Sequence, residues 1–125
     1  MYKNEDYNIK IYINLENGVY NFTGLSATGK TRLCKLLRKI EARKSNVIGY
    51  TFEDEKLGIN LENQINKLNP KVIMLDRFDL YKGKFTSKLE NWGKTSIVLV
   101  DCKGNLDADY EYCSIFLSED KVEVE

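Results

Sequence analysis

The sequence contains no histidine, which excludes histidine-based acid–base catalysis and histidine ligation of a metal. It has a single proline, and its three cysteines are odd in number and widely spaced, which argues against a disulfide framework or a zinc site. The formal net charge is zero, so bulk electrostatics favour neither nucleic acid nor a membrane surface. No apolar run approaches a membrane span, and the polar start MYKNEDYN does not resemble a signal peptide. We therefore expect a cytoplasmic protein.

Strand patterns recur along the chain. Residues 8–23 alternate between apolar and polar side chains around Asn17-Gly18, which predicts a β-hairpin. Residues 112–117 and 122–124 alternate around Glu119-Asp120 and predict a closing antiparallel hairpin. Residues 46–52 predict a buried strand, and residues 72–76 and 96–101 are apolar runs that end in an aspartate, which is typical of buried parallel strands.

Helical spacing separates these strands. Leu33, Leu36, Leu37 and Ile40 predict a helix over residues 30–42 whose basic side chains lie mostly on the opposite face. The other predicted helices are residues 57–68, with apolar residues at Leu57, Leu61, Ile65 and Leu68 before Pro70, and a short helix after a Ser87–Glu90 capping box. The alternation of strands and helices predicts one α/β domain over residues 1–125, with a mainly parallel sheet.

The segment between residues 24 and 31 matches the phosphate-binding pattern G-x-x-x-x-G-K-[ST]. A strand precedes it and an amphipathic helix follows, which is the context that this loop requires. Backbone N–H groups of such a loop surround phosphate oxygens, the lysine reaches the terminal phosphates, and the Thr31 hydroxyl ligates Mg²⁺. The predicted nucleotide contacts are Gly24, Leu25, Ser26, Ala27, Thr28, Gly29, Lys30, Thr31 and Arg32.

A phosphate loop needs a carboxylate at the end of a nearby strand to hold Mg²⁺ through its water shell. The run Val72-Ile73-Met74-Leu75-Asp76 has this form, an apolar strand that ends in an acid. Asp76 is therefore the predicted second metal ligand.

With these motifs the chain resembles the P-loop NTPase superfamily, in its ABC- and AAA-like branch. The resemblance rests on ENGVYNFTGLSATGKTRLCKLL, VIMLDRFD, SIVLVD and CSIFLSEDKVEVE, and covers most of the chain. It implies a three-layer P-loop fold with antiparallel hairpin strands at both ends. It also implies that the 96–101 strand lies between the strand before the phosphate loop and the 72–76 strand. Asp101 would then lie near the γ-phosphate.

The chain lacks three features that the family uses in catalysis. It has no LSGGQ-like signature, no histidine after SIVLVD, and Arg77 in place of the glutamate that follows the metal-binding aspartate. These departures disfavour a transporter motor. Two carboxylates remain candidates for orienting the attacking water, Glu53 after the 46–52 strand and Asp79 beyond Asp76.

Three functions stay open from the sequence. The first is a minimal nucleoside triphosphate- and Mg²⁺-binding switch or accessory factor with weak or partner-stimulated hydrolysis. The second is an interaction or inhibitor protein that binds nucleotide without useful catalysis, and the third is a kinase with Asp79 or Glu53 as base. ATP is favoured over GTP because no N-K-x-D motif is present. We expect a protein partner or a homo-oligomer, while nucleic acid is not favoured.

Overall fold

The computed structural model describes residues 1–23, 28–44 and 46–125, with Thr28 described by its backbone alone. The described residues form two sheets and four α-helices. The strands are β1 (Tyr2–Asn4), β2 (Lys10–Ile13), β3 (Gly18–Phe22), β4 (Val47–Tyr50), β5 (Val72–Leu75), β6 (Ile97–Val100), β7 (Glu111–Cys113), β8 (Ile115–Leu117) and β9 (Lys121–Val124). The helices are α1 (Thr28–Lys44), α2 (Phe52–Lys56), α3 (Leu61–Leu68) and α4 (Leu89–Gly93).

The larger sheet has five strands in the order β4-β5-β6-β3-β7, and every neighbouring pair is parallel. The prediction of an α/β domain with a mainly parallel sheet is confirmed. The 96–101 strand, β6, lies between β3 and β5, as the resemblance implied. Because all five strands run the same way, their carboxyl ends meet at one edge, which is where ligands bind in sheets of this kind.

The smaller sheet has the order β1-β2-β9-β8. The closing hairpin is confirmed for β8 and β9, which pair antiparallel. Its predicted first arm, residues 112–117, is wrong as a single strand, because Glu111–Cys113 form β7 of the larger sheet. The predicted hairpin over residues 8–23 is wrong, because its two arms belong to different sheets. β2 pairs in parallel with β9, with Ile11 opposite Val122, and antiparallel with β1, whereas β3 enters the larger sheet. The alternating pattern identified both strands correctly but carries no information about a partner that lies about a hundred residues away.

The helix predictions are confirmed for α1 and only partly for the others. Residues 52–68 form two helices, and Leu57 lies between them with 77% of its surface exposed, so its assignment to an apolar helical face is wrong. Thr51 caps α2, where its hydroxyl accepts from the Asp54 N–H. The Ser87–Glu90 capping box is also wrong, because residues 86–88 form a 3-10 turn and α4 begins at Leu89 without a side-chain cap.

The larger sheet lies between two apolar layers. One layer joins the sheet to α1 and to the inner face of the smaller sheet, through residues such as Leu37 and Ile13. The other joins it to α3, α4 and the three 3-10 turns between Phe78 and Lys88. None of the helices within the described residues is both long and apolar enough to span a membrane.

Close contact between α1 and β4 depends on Gly49. A Cβ atom at Gly49 would lie 2.7 Å from Cγ of Arg38 and 2.9 Å from the backbone oxygen of Cys34. Arg38 has little freedom to move, because its guanidinium donates to the Gly49 carbonyl at 2.9 Å and forms an ion pair with the buried Asp54 carboxylate.

We expect Gly49→Ala to lower the free energy of unfolding by roughly 1–3 kcal/mol, because backbone and a fixed side chain must both shift to make room. Chemical denaturation measures this loss. Gly83→Ala is the matched control, since a Cβ atom at Gly83 meets nothing within 4 Å. A Gly49→Ala protein as stable as Gly83→Ala would contradict the close approach of α1 and β4.

Candidate functional site

A cleft of about 1050 Å³ opens at the carboxyl edge of the larger sheet. Its lining comes from the ends of β3, β6 and β7, from the start of α1, and from the segments that follow β5 and β6. The lining includes Asn21, Lys30, Thr31, Asp101, Tyr110 and Tyr112. Parallel strands of an α/β sheet bind ligands at this edge, because the segments that follow the strands converge there.

Lys30 lies in the first turn of α1 and is directed into this edge. Its Nζ lies 3.2 Å from Oδ1 of Asp101, and the side chains are only 10% and 17% exposed. A lysine that is almost fully buried is uncommon and needs an acidic partner. The start of α1 thus presents a fixed positive charge to the cleft, at the end of a helix whose dipole also favours anions.

Asp76 and Asp101 lie side by side on neighbouring strands. Leu75 and Val100 are paired in the register of β5 and β6, and the Asp101 N–H continues the ladder by donating to the Leu75 carbonyl at 3.0 Å. Side chains alternate between the two faces of a strand, and Leu75 and Val100 both belong to the core layer opposite α1. Asp76 and Asp101 therefore point toward the α1 face.

Asp76 is buried, and its Oδ1 has no hydrogen-bond partner among the described residues. Burial, followed by the Asp101 carboxylate, raises the pKa of Asp76. The charge of Asp76 also reaches α1. Burial, and after it the Asp76 carboxylate, raises the pKa of the Cys34 thiol on that helix to about 12. Thr31 is one turn before Cys34 on that helix. A buried carboxylate oxygen without a partner is costly, and a metal ion or its water shell is one group that removes this cost.

The backbone around Asp101 is held by the turn after β5. The Asp101 carbonyl accepts a hydrogen bond from the Phe78 N–H at 2.7 Å, and Oδ2 of Asp101 accepts one from the Arg77 N–H at 3.4 Å. Arg77 reaches this position with a φ of 49°, a left-handed conformation that is uncommon outside glycine. The Arg77 side chain is exposed, and its backbone N–H rather than its guanidinium makes this contact with Asp101.

Some of the predicted site residues line this cleft and others do not. Thr31 lines it together with Lys30, while Arg32 is exposed and is not among its lining residues. Asp79 lines the cleft from the 3-10 turn Phe78–Leu80. Glu53 is on α2 and does not line the cleft, although it is among the weaker charges that raise the pKa of Asp76. Gly24, Leu25, Ser26 and Ala27 lie outside the described residues.

Two features of the site escaped the sequence reasoning. The side-chain amide of Asn21 bonds the backbone of Cys102 in both directions, at 3.2 Å each, and so joins β3 to the segment after β6. An asparagine inside the apolar strand VYNF was the available signal. The second feature is the pair Tyr110 and Tyr112, which line the cleft beyond β3. The alternation of polar and aromatic residues gave no indication of which face they occupy.

The described residues contain no group of three or more His, Cys, Asp and Glu side chains that could by itself hold a metal ion. Mg²⁺ does not require such a group, because it keeps several waters and binds through one or two carboxylates plus substrate phosphates. The partnerless Oδ1 of Asp76, the adjacent Asp101 and the Thr31 hydroxyl are hard oxygen donors of the required type. The residues present fit a magnesium ion bound together with a phosphate ligand.

No family model matches the chain, and neither a curated protein nor a solved structure matches it.

Proposed function

We propose that this chain is a minimal P-loop protein that binds a nucleoside triphosphate, ATP in preference to GTP, together with Mg²⁺. The observation that carries the proposal is the meeting of three charged groups at one sheet edge. Lys30 at the start of α1 pairs with Asp101, and Asp101 neighbours Asp76, whose Oδ1 has no described partner. The strand order β5-β6-β3 agrees with the order that the resemblance to the ABC- and AAA-like branch implies, and this supports the proposal.

Each residue then has a role that suits its chemistry. Lys30 neutralises the terminal phosphates, and its pairing with Asp101 keeps the charge in position before the ligand arrives. Thr31 and Asp76 supply oxygen ligands for Mg²⁺, directly or through water. The metal, when bound, screens the charge on the phosphates. The pattern G-x-x-x-x-G-K-[ST] over residues 24–31 is the sequence pattern of loops whose backbone N–H groups bind phosphates.

We further propose that hydrolysis is weak or is stimulated by a partner. Efficient hydrolysis needs a carboxylate or amide that orients water next to the terminal phosphate. Arg77 stands where the related families carry a glutamate. Asp79 lines the cleft and Glu53 lies outside its lining, so Asp79 is the better placed of the two candidates.

Steady-state phosphate release by the wild-type protein, Asp79→Asn and Glu53→Gln tests this assignment. We expect slow Mg²⁺-dependent release that falls about 100-fold or more in Asp79→Asn, in line with the usual contribution of a positioned base. Glu53→Gln should retain most of the activity. Equal rates in all three proteins would contradict a role for Asp79. A loss confined to Glu53→Gln would transfer the role to Glu53.

A second function, an interaction protein that binds nucleotide without useful catalysis, is favoured by the surface next to the cleft. β7 and β8 are edge strands of the two sheets, and β8 exposes Phe116 and Leu117 at 54% and 45%. Exposed edges with apolar side chains are characteristic of surfaces that pair with another chain. Tight nucleotide binding with no measurable phosphate release, either alone or after addition of a partner, would select this function.

A further inference from the structure

Two tyrosines that line the cleft, Tyr110 and Tyr112, are not used by the phosphate and metal site proposed above. Tyr112 is on the edge strand β7, and 64% of its surface is exposed. Tyr110 packs against the core layer opposite α1. Both line the cleft that also contains Lys30 and Thr31.

The two rings hold each other in a defined orientation. Their centroids are 5.4 Å apart with an angle of 87° between the planes, and their hydroxyl oxygens are 3.3 Å apart. Edge-to-face contact of this kind is a favoured geometry for aromatic pairs. Because Tyr110 is anchored in the core layer, it supports Tyr112 and leaves that ring largely exposed to the cleft. A preoriented ring loses little conformational entropy when a flat ligand stacks on it.

The order of the strands places this ring on the far side of β3 from the two acidic residues. Across the sheet edge the sequence of groups is Asp76 after β5, Asp101 after β6, the end of β3, and then Tyr112 on β7. Neighbouring strands are about 4.8 Å apart, so β7 lies about 10 Å from β6. A triphosphate that extends from the acidic residues over the end of β3 would bring its sugar and base toward β7. Tyr112 is paired with Asn21 in the register of β3, close to the point where β3 ends.

The size of the cleft agrees with a ligand larger than the phosphates. Pockets that bind whole small molecules measure about 300–1000 Å³, and this cleft, at about 1050 Å³, is slightly larger than that range. Tyr112 points to the sheet face opposite α1, because its neighbour Cys113 belongs to the α1 layer. The cleft therefore passes over the end of β3 from the phosphate side to the tyrosine side.

We propose that Tyr112, supported by Tyr110, is the stacking surface for the nucleobase of the bound nucleotide. This inference rests on the proposed nucleotide-binding function and adds its base subsite. Stacking is possible with every base but increases with the size of the ring system. The site is therefore expected to prefer purine over pyrimidine nucleotides, without distinguishing adenine from guanine through this contact.

The experiment measures binding of Mg·ATP, Mg·CTP and Mg·tripolyphosphate to four proteins by calorimetry. The proteins are wild type, Tyr112→Ala, Tyr112→Phe and the control Phe116→Ala, which removes an exposed aromatic side chain from the neighbouring strand outside the cleft lining. Tyr112→Ala should bind ATP about 5- to 100-fold more weakly, which is the usual effect of removing a stacked aromatic. Its affinity for tripolyphosphate should be unchanged, and its preference for ATP over CTP should fall toward one.

The other variants separate the ring from its hydroxyl and from general surface effects. Tyr112→Phe and Phe116→Ala should both bind ATP within about 2-fold of wild type, a difference well below the loss of a stacked base. Wild-type affinity for ATP in Tyr112→Ala would overturn the base subsite while leaving the phosphate site intact. An equal loss of ATP and tripolyphosphate affinity in Tyr112→Ala would also overturn it. A wild-type protein that binds none of the three ligands would instead overturn the proposed function itself.

Discussion

Replacing Lys30 by alanine is expected to weaken Mg²⁺-dependent ATP binding by at least about 100-fold, the loss of one or two charge-assisted hydrogen bonds to phosphate. Lys30 is the cationic side chain of α1 that lines the cleft and is held there by Asp101. Its removal also leaves the neighbouring carboxylates Asp101 and Asp76 without that positive charge, so phosphate would meet an acidic surface. Calorimetric titration of ATP in the presence of Mg²⁺ measures the effect.

The variant needs two controls because Lys30 also contributes to the fold. Breaking a buried ion pair destabilises a protein by about 3–5 kcal/mol, so the thermal midpoint must be measured and binding compared well below it. Lys35→Ala removes an exposed lysine from the same helix and should bind ATP as the wild type does. A folded Lys30→Ala protein with wild-type affinity for ATP would contradict the proposal of a phosphate site at the start of α1.

Asp76→Asn is expected to stabilise the protein in the absence of metal and, at the same time, to weaken the contribution of Mg²⁺ to ATP binding. Burial and the Asp101 carboxylate raise the pKa of Asp76, so folding favours its protonated form. Protonated Asp76 therefore adds to the free energy of unfolding at pH values below the ordinary aspartate pKa. This contribution is lost as the pH rises through the raised pKa of the folded state. At neutral pH the charged carboxylate is therefore a cost that asparagine removes.

We expect the Asp76→Asn variant to gain about 1 kcal/mol at pH 7, or about 3–5 °C in its thermal midpoint. The difference from wild type should shrink as the pH falls below the raised pKa. The factor by which Mg²⁺ increases ATP affinity should be at least about 10-fold smaller in this variant than in wild type, because a metal ligand is missing. Asp120→Asn, in the exposed turn before β9, is the control for both measurements. A less stable Asp76→Asn variant with normal Mg²⁺ dependence would show that Asp76 has a structural role only.

The sequence predicted the local parts of this molecule better than their long-range pairing. The apolar spacing of Leu33, Leu37 and Ile40 identified α1, because a helix buries one face at that period whatever surrounds it. The continuous apolar runs at β5 and β6 identified strands buried on both faces. The position of β6 between β3 and β5 came from the likeness of motifs, since no local pattern specifies the order of strands.

The errors have a common cause. Alternation at β2 predicted a strand but not its partner β9, which is set by contacts across about 110 residues. Leu57 fitted a helical face, yet its place is exposed because the chain bends between α2 and α3. Likewise the Asn21 bonds to Cys102 and the approach of Asp76 to Asp101 depend on strand register. Sequence spacing could propose Asp76 as a metal ligand. Its raised pKa, and an Oδ1 with no hydrogen-bond partner among the described residues, are properties of the packed structure.

We propose that the sheet edge around Lys30, Asp76 and Asp101 binds a nucleoside triphosphate together with Mg²⁺. Calorimetric titration of ATP into the purified wild-type protein, first with Mg²⁺ and then with EDTA, tests it most directly. We predict one ATP per chain with Mg²⁺, and binding weakened at least about 10-fold when the metal is removed. Absence of binding at millimolar ATP with Mg²⁺, by a protein that is folded and free of bound nucleotide, would contradict it.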